Sequence, residues 1–483
     1  MLDAALLIRN ESVAASGAAT FDRMDPVTRG VATRAAAASV EDAVHAANVA
    51  ASAFPAWSGI APGERREMLN RAAQVLLDKT EEFVAAIVSE TGGTRIWAEF
   101  NCRIAASLLR EAGAMTTQIT GEVIPSERAG SFSMATRQPC GVVLGIAPWN
   151  APVILGARAV AMPLACGNTV VLKASELCPR THGLIGEVFQ EAGFPAGTVN
   201  VVSSAPEDAP RIVEALIAHA AVRRVNFTGS TRVGRIVAEV GARHLKRCLL
   251  ELGGKAPMIV LDDADLEAAV NAATFGAFFH QGQICMSTER ILVDESIADA
   301  FLERFRLRAE SLKAGDPRDP KARLGAMITE QAATRVKGLI DDAVHKGARL
   351  VTGGGQHDVF VDATILDGVT SAMRIYHEES FGPVASVIRV DGVEEAISIA
   401  NDTEYGLAAA VFGRDVGRAL GVAQRIESGI CHINAATIHD EPQMPFGGVK
   451  ASGYGRFGGK AGIDEFTELR WISIQTGELK YPI

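Results

Sequence analysis

The sequence predicts an α/β protein built on mostly parallel sheet, and three observations carry that prediction. Short apolar runs alternate with helical segments at spacings of about 25–30 residues, the rhythm of β-α units. One such run, Val222–Phe227, passes through Thr228 into the glycine-bearing stretch Gly229-Ser230-Thr231-Arg232-Val233-Gly234, as at a strand end opening onto a helix. The 483 residues, 48% hydrophobic and 22% charged, supply a large core without disulfides or structural metals. At roughly 150 residues per domain the length suggests about three domains' worth of chain.

The elements follow in order. Val40–Ala53 carries Ala and Val at helical spacing, with Ser39 as its N-cap and Asp42 three residues on. Glu64–Leu77 is a second amphipathic helix, entered through Pro62. Gly141–Ile146 is a short apolar strand ending in Pro148-Trp149-Asn150. Asn168–Lys173 is the next, followed by a helix from about His182 to Ala192. Val199–Val202 and Val222–Phe227 extend the series. Pro257–Leu261 then precedes Asp262-Asp263-Ala264-Asp265, acidic residues suited to a helix start, and Arg290–Val293 and Ala385–Val390 are further strands. No internal repeat, low-complexity linker or heptad pattern is present, so the coarse reading is two α/β domains interleaved in one chain.

Charge and cysteine usage exclude several classes. Lys and Arg number 47 against 57 Asp and Glu, a net charge of −10, which disfavours nucleic acid as a partner. The seven cysteines (Cys102, Cys140, Cys166, Cys178, Cys248, Cys285 and Cys431) are widely spaced and include no C-x-x-C, so neither a metal site nor a disulfide framework is expected. Met1–Arg9 lacks the basic and apolar regions of a signal peptide. Between Arg137 and Lys173 the only charge is Arg158, but Pro139, Pro148, Pro152 and Pro163 interrupt the run, against a membrane span. A cytoplasmic protein without membrane partners is the expectation.

Several segments have chemical potential beside a plainer structural meaning. Gly229-x4-Gly234 suits a phosphate at a helix N-terminus, but Arg235-Ile236 follows where an ATPase P-loop needs Lys-Ser/Thr; an ordinary strand-to-helix turn reads equally well. The one G-x-G-x-x-G, Gly453–Gly458, follows Pro445–Lys450 rather than a strand and reads as a flexible loop. Glu251 follows the apolar Cys248-Leu249-Leu250; burial there would raise its pKa toward that of a general base, though a surface turn is the commoner role. Cys285, in Gln281–Ser287, has the least core-like neighbours of the seven cysteines. Asn150 and Lys173 fall at strand ends, where α/β folds bind ligands, and Lys173-x-x-Glu176 could grip ribose hydroxyls or be a charged turn.

Taken together, these segments resemble the NAD(P)-dependent aldehyde dehydrogenase superfamily along essentially the whole chain. The resemblance rests on Pro148-Trp149-Asn150, Lys173-x-x-Glu176, Phe227-Thr228-Gly229-Ser230-x3-Gly234, Glu251-Leu252-Gly253-Gly254, Gly282-Gln283-x-Cys285, Glu379-x-Phe381-Gly382-Pro383 and Pro445-Phe446-Gly447-Gly448-x-Lys450-x-Ser452-Gly453, in the family's order. The stretches His439–Phe446 and Gln283–Arg290 look like the bacterial branch acting on aromatic aldehydes, the vanillin and salicylaldehyde dehydrogenases.

The resemblance implies a Rossmann-type cofactor domain (1–120 and 141–252), an α/β catalytic domain (253–455) and a small β oligomerisation flap (121–140 and 465–483). It implies Cys285 as nucleophile, Glu251 as general base, and an oxyanion hole from the Asn150 amide and the Cys285 N–H. Lys173 and Glu176 would hold the adenosine ribose, Glu379 the nicotinamide ribose, and Phe381 the nicotinamide. Gly229, Ser230 and Gly234 would face the pyrophosphate, with Ile146, Pro148, Trp149, Ser175, Phe227, Val233 and Leu252 completing the cofactor contacts.

The implied reaction passes through a thiohemiacetal and a thioester on Cys285, which water activated by Glu251 hydrolyses to the acid. Family members that transfer the acyl group to coenzyme A generally lack this base, so its presence favours hydrolysis. A carboxylate at Glu176 favours NAD, with NADP as an alternate that Lys173 could accommodate. Arg158, where the family usually carries a hydrophobic residue, shares a helix face with Ile154 and either reaches a ring oxygen of an aromatic substrate or pairs with a carboxylate. Trp97, Ile154, Ile284, Met286 and Phe446 would wall the substrate. An aliphatic or semialdehyde dehydrogenase, a catalytically silent binding protein of the same fold, and a cofactor-free thiol esterase remain as alternatives. Pairing of the Ser131–Arg137 region with the chain end near Trp471–Ile474 would leave an edge to be covered, as in a homodimer or homotetramer.

Overall fold

A computed structural model describes all 483 residues. Its centre is an eight-stranded sheet ordered Gly453–Tyr454, Arg247–Glu251, Val222–Thr228, Val142–Ile146, Thr169–Lys173, Val199–Val202, Leu6–Ile8, Glu11–Val13. The five strands from Arg247–Glu251 to Val199–Val202 are mutually parallel and apolar along most of their lengths, as sheets covered on both faces require. A seven-stranded sheet follows, ordered Arg349–Thr352, Thr364–Asp367, Val384–Val390, Thr288–Asp294, Ala256–Val260, Ala408–Phe412, Ile430–Ile433, parallel except at Arg349–Thr352. The chain end, Thr467–Gln475, pairs antiparallel with Ser131–Pro139, bringing Trp471 opposite Ala135, and Glu122–Ile124 adds a third strand. No helix is long and apolar enough to cross a membrane.

Local chemistry explains the helix ends. Ser39 accepts from the Asp42 N–H while Asp42 returns the bond to the Ser39 N–H, a capping box that starts the Val40–Ser58 helix. Pro62 begins the next helix, Pro62–Asp78, at a position where its missing N–H costs nothing. Asp265 caps Leu266–Phe278 through the N–H groups of Glu267 and Ala268. The helix expected from about His182 starts earlier, at Pro179. Its cap is remote: the buried Glu90 carboxylate accepts from the N–H groups of Arg180 and Thr181 and from the Thr181 hydroxyl, a tertiary contact that local spacing does not display.

The glycine-rich segment at Gly453–Gly458 differs from the flexible loop expected of it. Gly453-Tyr454 adds an antiparallel edge strand beside Leu250 and Glu251. A Cβ at Gly453 would lie 2.1 Å from the Leu250 carbonyl oxygen, so glycine permits a close strand approach rather than phosphate binding.

Candidate active site

In the larger sheet the strand order reverses beside Val142–Ile146: one crossover leads to Thr169–Lys173 on one side, while Val222–Thr228 lies on the other. A ligand crevice is expected outside the carboxyl ends of strands at such a reversal. Register brings those ends level, since Ile146 pairs with both Lys173 and Phe227, and Thr228 pairs with Glu251. A cleft of about 620 Å³ opens there, lined by Pro148, Trp149, Asn150, Gly229, Ser230, Glu251, Leu252, Cys285, Glu379 and Phe381, among others. Residues from Pro148 to Phe381 therefore meet at one site, which requires both sheets.

Cys285 reaches the cleft on a tight loop before the Thr288–Asp294 strand. His280, Gln281 and Gly282 all have positive φ (49°, 54° and 68°), a strained run fixed by its surroundings. A Cβ at Gly282 would lie 2.2 Å from the Gly382 carbonyl, and one at Gly254 would lie 2.3 Å from the Cys285 carbonyl. Ser287 closes the loop, its N–H donating to the Ile284 carbonyl and its hydroxyl to that of Gly282. Burial, and then the charge of Glu251, push the Cys285 thiol well above its ordinary pKa, so at neutral pH it rests protonated and needs a base.

Glu251 ends the Arg247–Glu251 strand, buried, and neither carboxyl oxygen has a hydrogen-bond partner. Burial pushes its pKa up to about 7, against a smaller opposing pull from the Arg158 charge. An unpartnered buried carboxyl is costly, and such costs concentrate at functional sites. Opposite it, Asn150 donates from Nδ2 to the Gln283 carbonyl at 3.0 Å, while its own carbonyl accepts from Trp97 Nε1 at 3.0 Å.

The opposite half of the cleft is a cradle with the shape of a helix N-terminus. Ser230 caps Thr231–Arg243 through the Val233 N–H. A Cβ at Gly234 would meet Leu252 Cδ2 at 2.4 Å and one at Gly229 would meet the Phe227 ring at 2.5 Å, so glycines keep this end open and close-packed. Ser452 carries the Pro445–Gly453 motif into the site: its hydroxyl donates to the Gly253 carbonyl and its carbonyl accepts from Leu252 N–H. Lys173 and Glu176 form an ion pair at the next strand end, and burial pushes Lys173 down to about 7. The Ser175 N–H donates to the buried His182 Nδ1, and Ile146 ends the central strand. Glu379 accepts from the Gly254 N–H at 2.9 Å, and burial pushes its carboxyl up to about 8. Phe381, at φ 48°, meets Trp149 edge-on with ring centroids 5.8 Å apart.

The expected substrate residues fall around this cleft rather than inside it. Trp97 is buried behind Asn150, stacked on His280 at 4.4 Å between centroids. Ile154, Ile284, Met286 and Phe446 join the apolar cluster against which Cys285 packs. Arg158 is buried, stacked over Phe446 with Cζ 4.2 Å from the ring centroid, and forms an ion pair with Asp440. Three positioning groups were not anticipated. Glu289 accepts from the N–H groups of Ser380 and Phe381 and from buried Lys255, fixing the turn behind Glu379. Gln283 accepts at Oε1 from the Ile328 N–H. Asp440 neutralises Arg158. All three act through long-range contacts, which residue spacing cannot reveal.

The aldehyde dehydrogenase family model matches residues 13–472. The chain is 62% identical over 483 residues to a vanillin dehydrogenase of Pseudomonas fluorescens, covering 100% of both. It is 51% identical over 478 residues to a salicylaldehyde dehydrogenase of Pseudomonas putida, covering 99% of each. The crystal structure of a salicylaldehyde dehydrogenase from Pseudomonas putida G7, complexed with salicylaldehyde, superposes with a TM-score of 0.98 at 51% identity and 100% coverage of both chains.

Proposed function

The chain belongs to the aldehyde dehydrogenase family, and on that premise we propose that it oxidises a small aromatic aldehyde, of the vanillin, salicylaldehyde or benzaldehyde type, to the carboxylic acid with NAD. The observation that carries the proposal is Glu251: a buried carboxyl with both oxygens unpartnered, lining one cleft with Cys285 and Asn150. Its raised pKa suits proton exchange near neutrality.

In this reading Glu251 draws the proton from Cys285, and the thiolate adds to the aldehyde carbon. The second N–H of the Asn150 amide, left over from its bond to Gln283, and the Cys285 N–H hold the developing oxyanion. The glycine-lined N-terminus at Ser230, with Glu379 and Phe381 in the same cleft and Lys173 and Glu176 at a strand end of the same sheet edge, would hold a dinucleotide. A nicotinamide held beside Glu379 and Phe381 would supply the hydride acceptor needed to oxidise the Cys285 thiohemiacetal to the thioester. Glu251, having released the first proton to solvent, takes a second from water as it attacks the thioester, and Cys285 leaves as thiolate.

The named relatives and the Arg158–Phe446 stack support an aromatic substrate, with Trp97, Ile154, Ile284 and Met286 behind the apolar walls. The Glu176 carboxylate supports NAD over NADP, since it accepts from a free ribose 2′-OH and repels a 2′-phosphate. Seven unpaired cysteines support a reducing, cytoplasmic setting. The eight-stranded sheet, the seven-stranded sheet and the sheet formed by the chain end support a division into a cofactor unit, a catalytic unit and a flap, although Gly453–Tyr454 crosses from the second unit to pair in the first. On the flap Trp471 is 78% exposed and Val123 68%, which supports burial against another copy in a homodimer or homotetramer. A monomer in light scattering at micromolar concentration would refute the assembly.

The deciding experiment follows nicotinamide reduction with vanillin, salicylaldehyde, benzaldehyde and hexanal, each with NAD and with NADP. Aromatic aldehydes are expected to exceed hexanal in kcat/KM by at least about tenfold, the yield of a few apolar and aromatic contacts. Equal or better use of hexanal would overturn the aromatic assignment.

A further inference from the structure

A second cavity, of about 370 Å³, has a lining that includes Arg158, Asp440, Glu441, Met162, Phe446 and Phe457. It adjoins the reaction cleft through the Pro152–Ala165 helix, because Leu155 lines the cleft and Arg158, three residues on and on the same face, lines the cavity. Arg158 is the only basic residue of the lining. Its side chain is 4% exposed, it is paired with Asp440, and its Nε–H has no partner. Glu111 and Glu441 also line the cavity, so the formal charge is +1 from Arg158 and −3 from Glu111, Asp440 and Glu441, or −2. His439, half exposed, pairs with Glu441 at 2.8 Å and is not part of the lining.

We propose that the Arg158–Asp440 pair makes this enzyme selective for uncharged ring substituents: aldehydes bearing a neutral hydroxyl or alkoxy group are taken, and aldehydes bearing a ring carboxylate are rejected. The proposal rests on the aromatic-aldehyde reading above. The guanidinium is divided between two tasks. One edge is neutralised by Asp440, while the free Nε–H donates to a neutral oxygen without breaking the ion pair. A ring carboxylate would have to displace Asp440 or be buried beside it among further carboxylates, and an unpaired anion in a half-enclosed site is strongly disfavoured.

The test compares kcat/KM for benzaldehyde, meta-methoxybenzaldehyde and meta-carboxybenzaldehyde in wild type, Asp440→Asn and Glu441→Gln. Wild type is expected to favour the methoxy over the carboxy substrate by at least about thirtyfold, and Asp440→Asn to narrow that ratio by about tenfold, the effect of removing one close like charge. Glu441→Gln, a more exposed site, is expected to narrow it by about threefold, and it carries the test should Asp440→Asn fail to fold. A wild-type ratio within threefold, or ratios that do not move in the folded variants, overturns the proposal while benzaldehyde turnover keeps the aromatic reading intact. Absence of benzaldehyde and methoxybenzaldehyde turnover by wild type overturns both.

Discussion

The Asn150 side-chain amide donates to the Gln283 carbonyl across 3.0 Å, joining the exit turn of the central Val142–Ile146 strand to the loop that carries Cys285. The bond is a bridge between the two sheets, and it fixes which way the amide's remaining N–H points. Asn150→Ala should lower kcat/KM by about 100- to 1000-fold, the usual cost of one oxyanion donor. Steady-state kinetics with benzaldehyde would check this. A loss below tenfold would mean that the amide serves only to hold the loop.

Glu251 sets an acid limb. With its pKa pushed up to about 7 by burial, the carboxylate needed as base accumulates only as pH rises through that value. Turnover should therefore climb between about pH 6 and 8, and Glu251→Gln should lose the limb along with at least about 100-fold in kcat. Stability runs the other way. The folded pKa lies above the unfolded one, so the native state holds the extra proton and its stability falls as pH rises from about 4.5 to about 7. Glu251→Gln should stabilise the cofactor-free protein at pH 8 by on the order of 1–3 kcal/mol and hardly at all at pH 4. Denaturant titrations at the two pH values decide it, and equal shifts at both would rule out a buried neutral carboxyl.

The Lys255–Glu289 pair is buried, and its Glu289 carboxylate holds the turn behind Glu379 by accepting from the Ser380 and Phe381 N–H groups. Glu289→Ala strands the Lys255 ammonium and leaves two backbone donors without a partner. The expected cost is about 3–5 kcal/mol in chemical denaturation. Because Glu379 and Phe381 lose their support, KM for NAD should rise more than kcat falls. A variant of wild-type stability, or one with a kcat defect alone, would contradict the positioning role.

Much of this site was legible in residue order, and the remainder was not for definable reasons. The strand ends before Asn150 and at Lys173 and Phe227 followed from apolar runs stopped by turn residues, whereas Glu251 beside its apolar run read more readily as a surface turn; parallel register levels Ile146, Lys173, Phe227 and Glu251 at one edge. Cys285 stood out only for its un-corelike neighbours, while the left-handed run at His280–Gly282 that presents it has no signature beyond one glycine. Arg158 was left between a ring oxygen and a carboxylate partner. The fold supplies the carboxylate from Asp440, 282 positions away, and leaves Nε without a partner. Glu90 capping the Pro179–Glu191 helix is the same lesson at a structural position.

In the proposed function, cofactor choice rests on Lys173 and Glu176. The pair sits at the end of the Thr169–Lys173 strand, one strand removed from the one that leads to Gly229 and Ser230, with burial holding Lys173 down to about 7. A 2′-phosphate would bring negative charge against the Glu176 carboxylate, while Lys173 is already engaged. Glu176→Gln should therefore raise the NADP-to-NAD ratio of kcat/KM by about tenfold, since one repulsive charge is removed and one cation is freed. The gain should carry a pH signature. Lys173 loses its proton as pH rises through about 7, so the benefit to NADP in the variant should be larger at pH 6.5 than at pH 8.5. Initial rates with both nucleotides at the two pH values test this. A ratio that does not move, or moves equally at both, would place nucleotide selection elsewhere than in this pair.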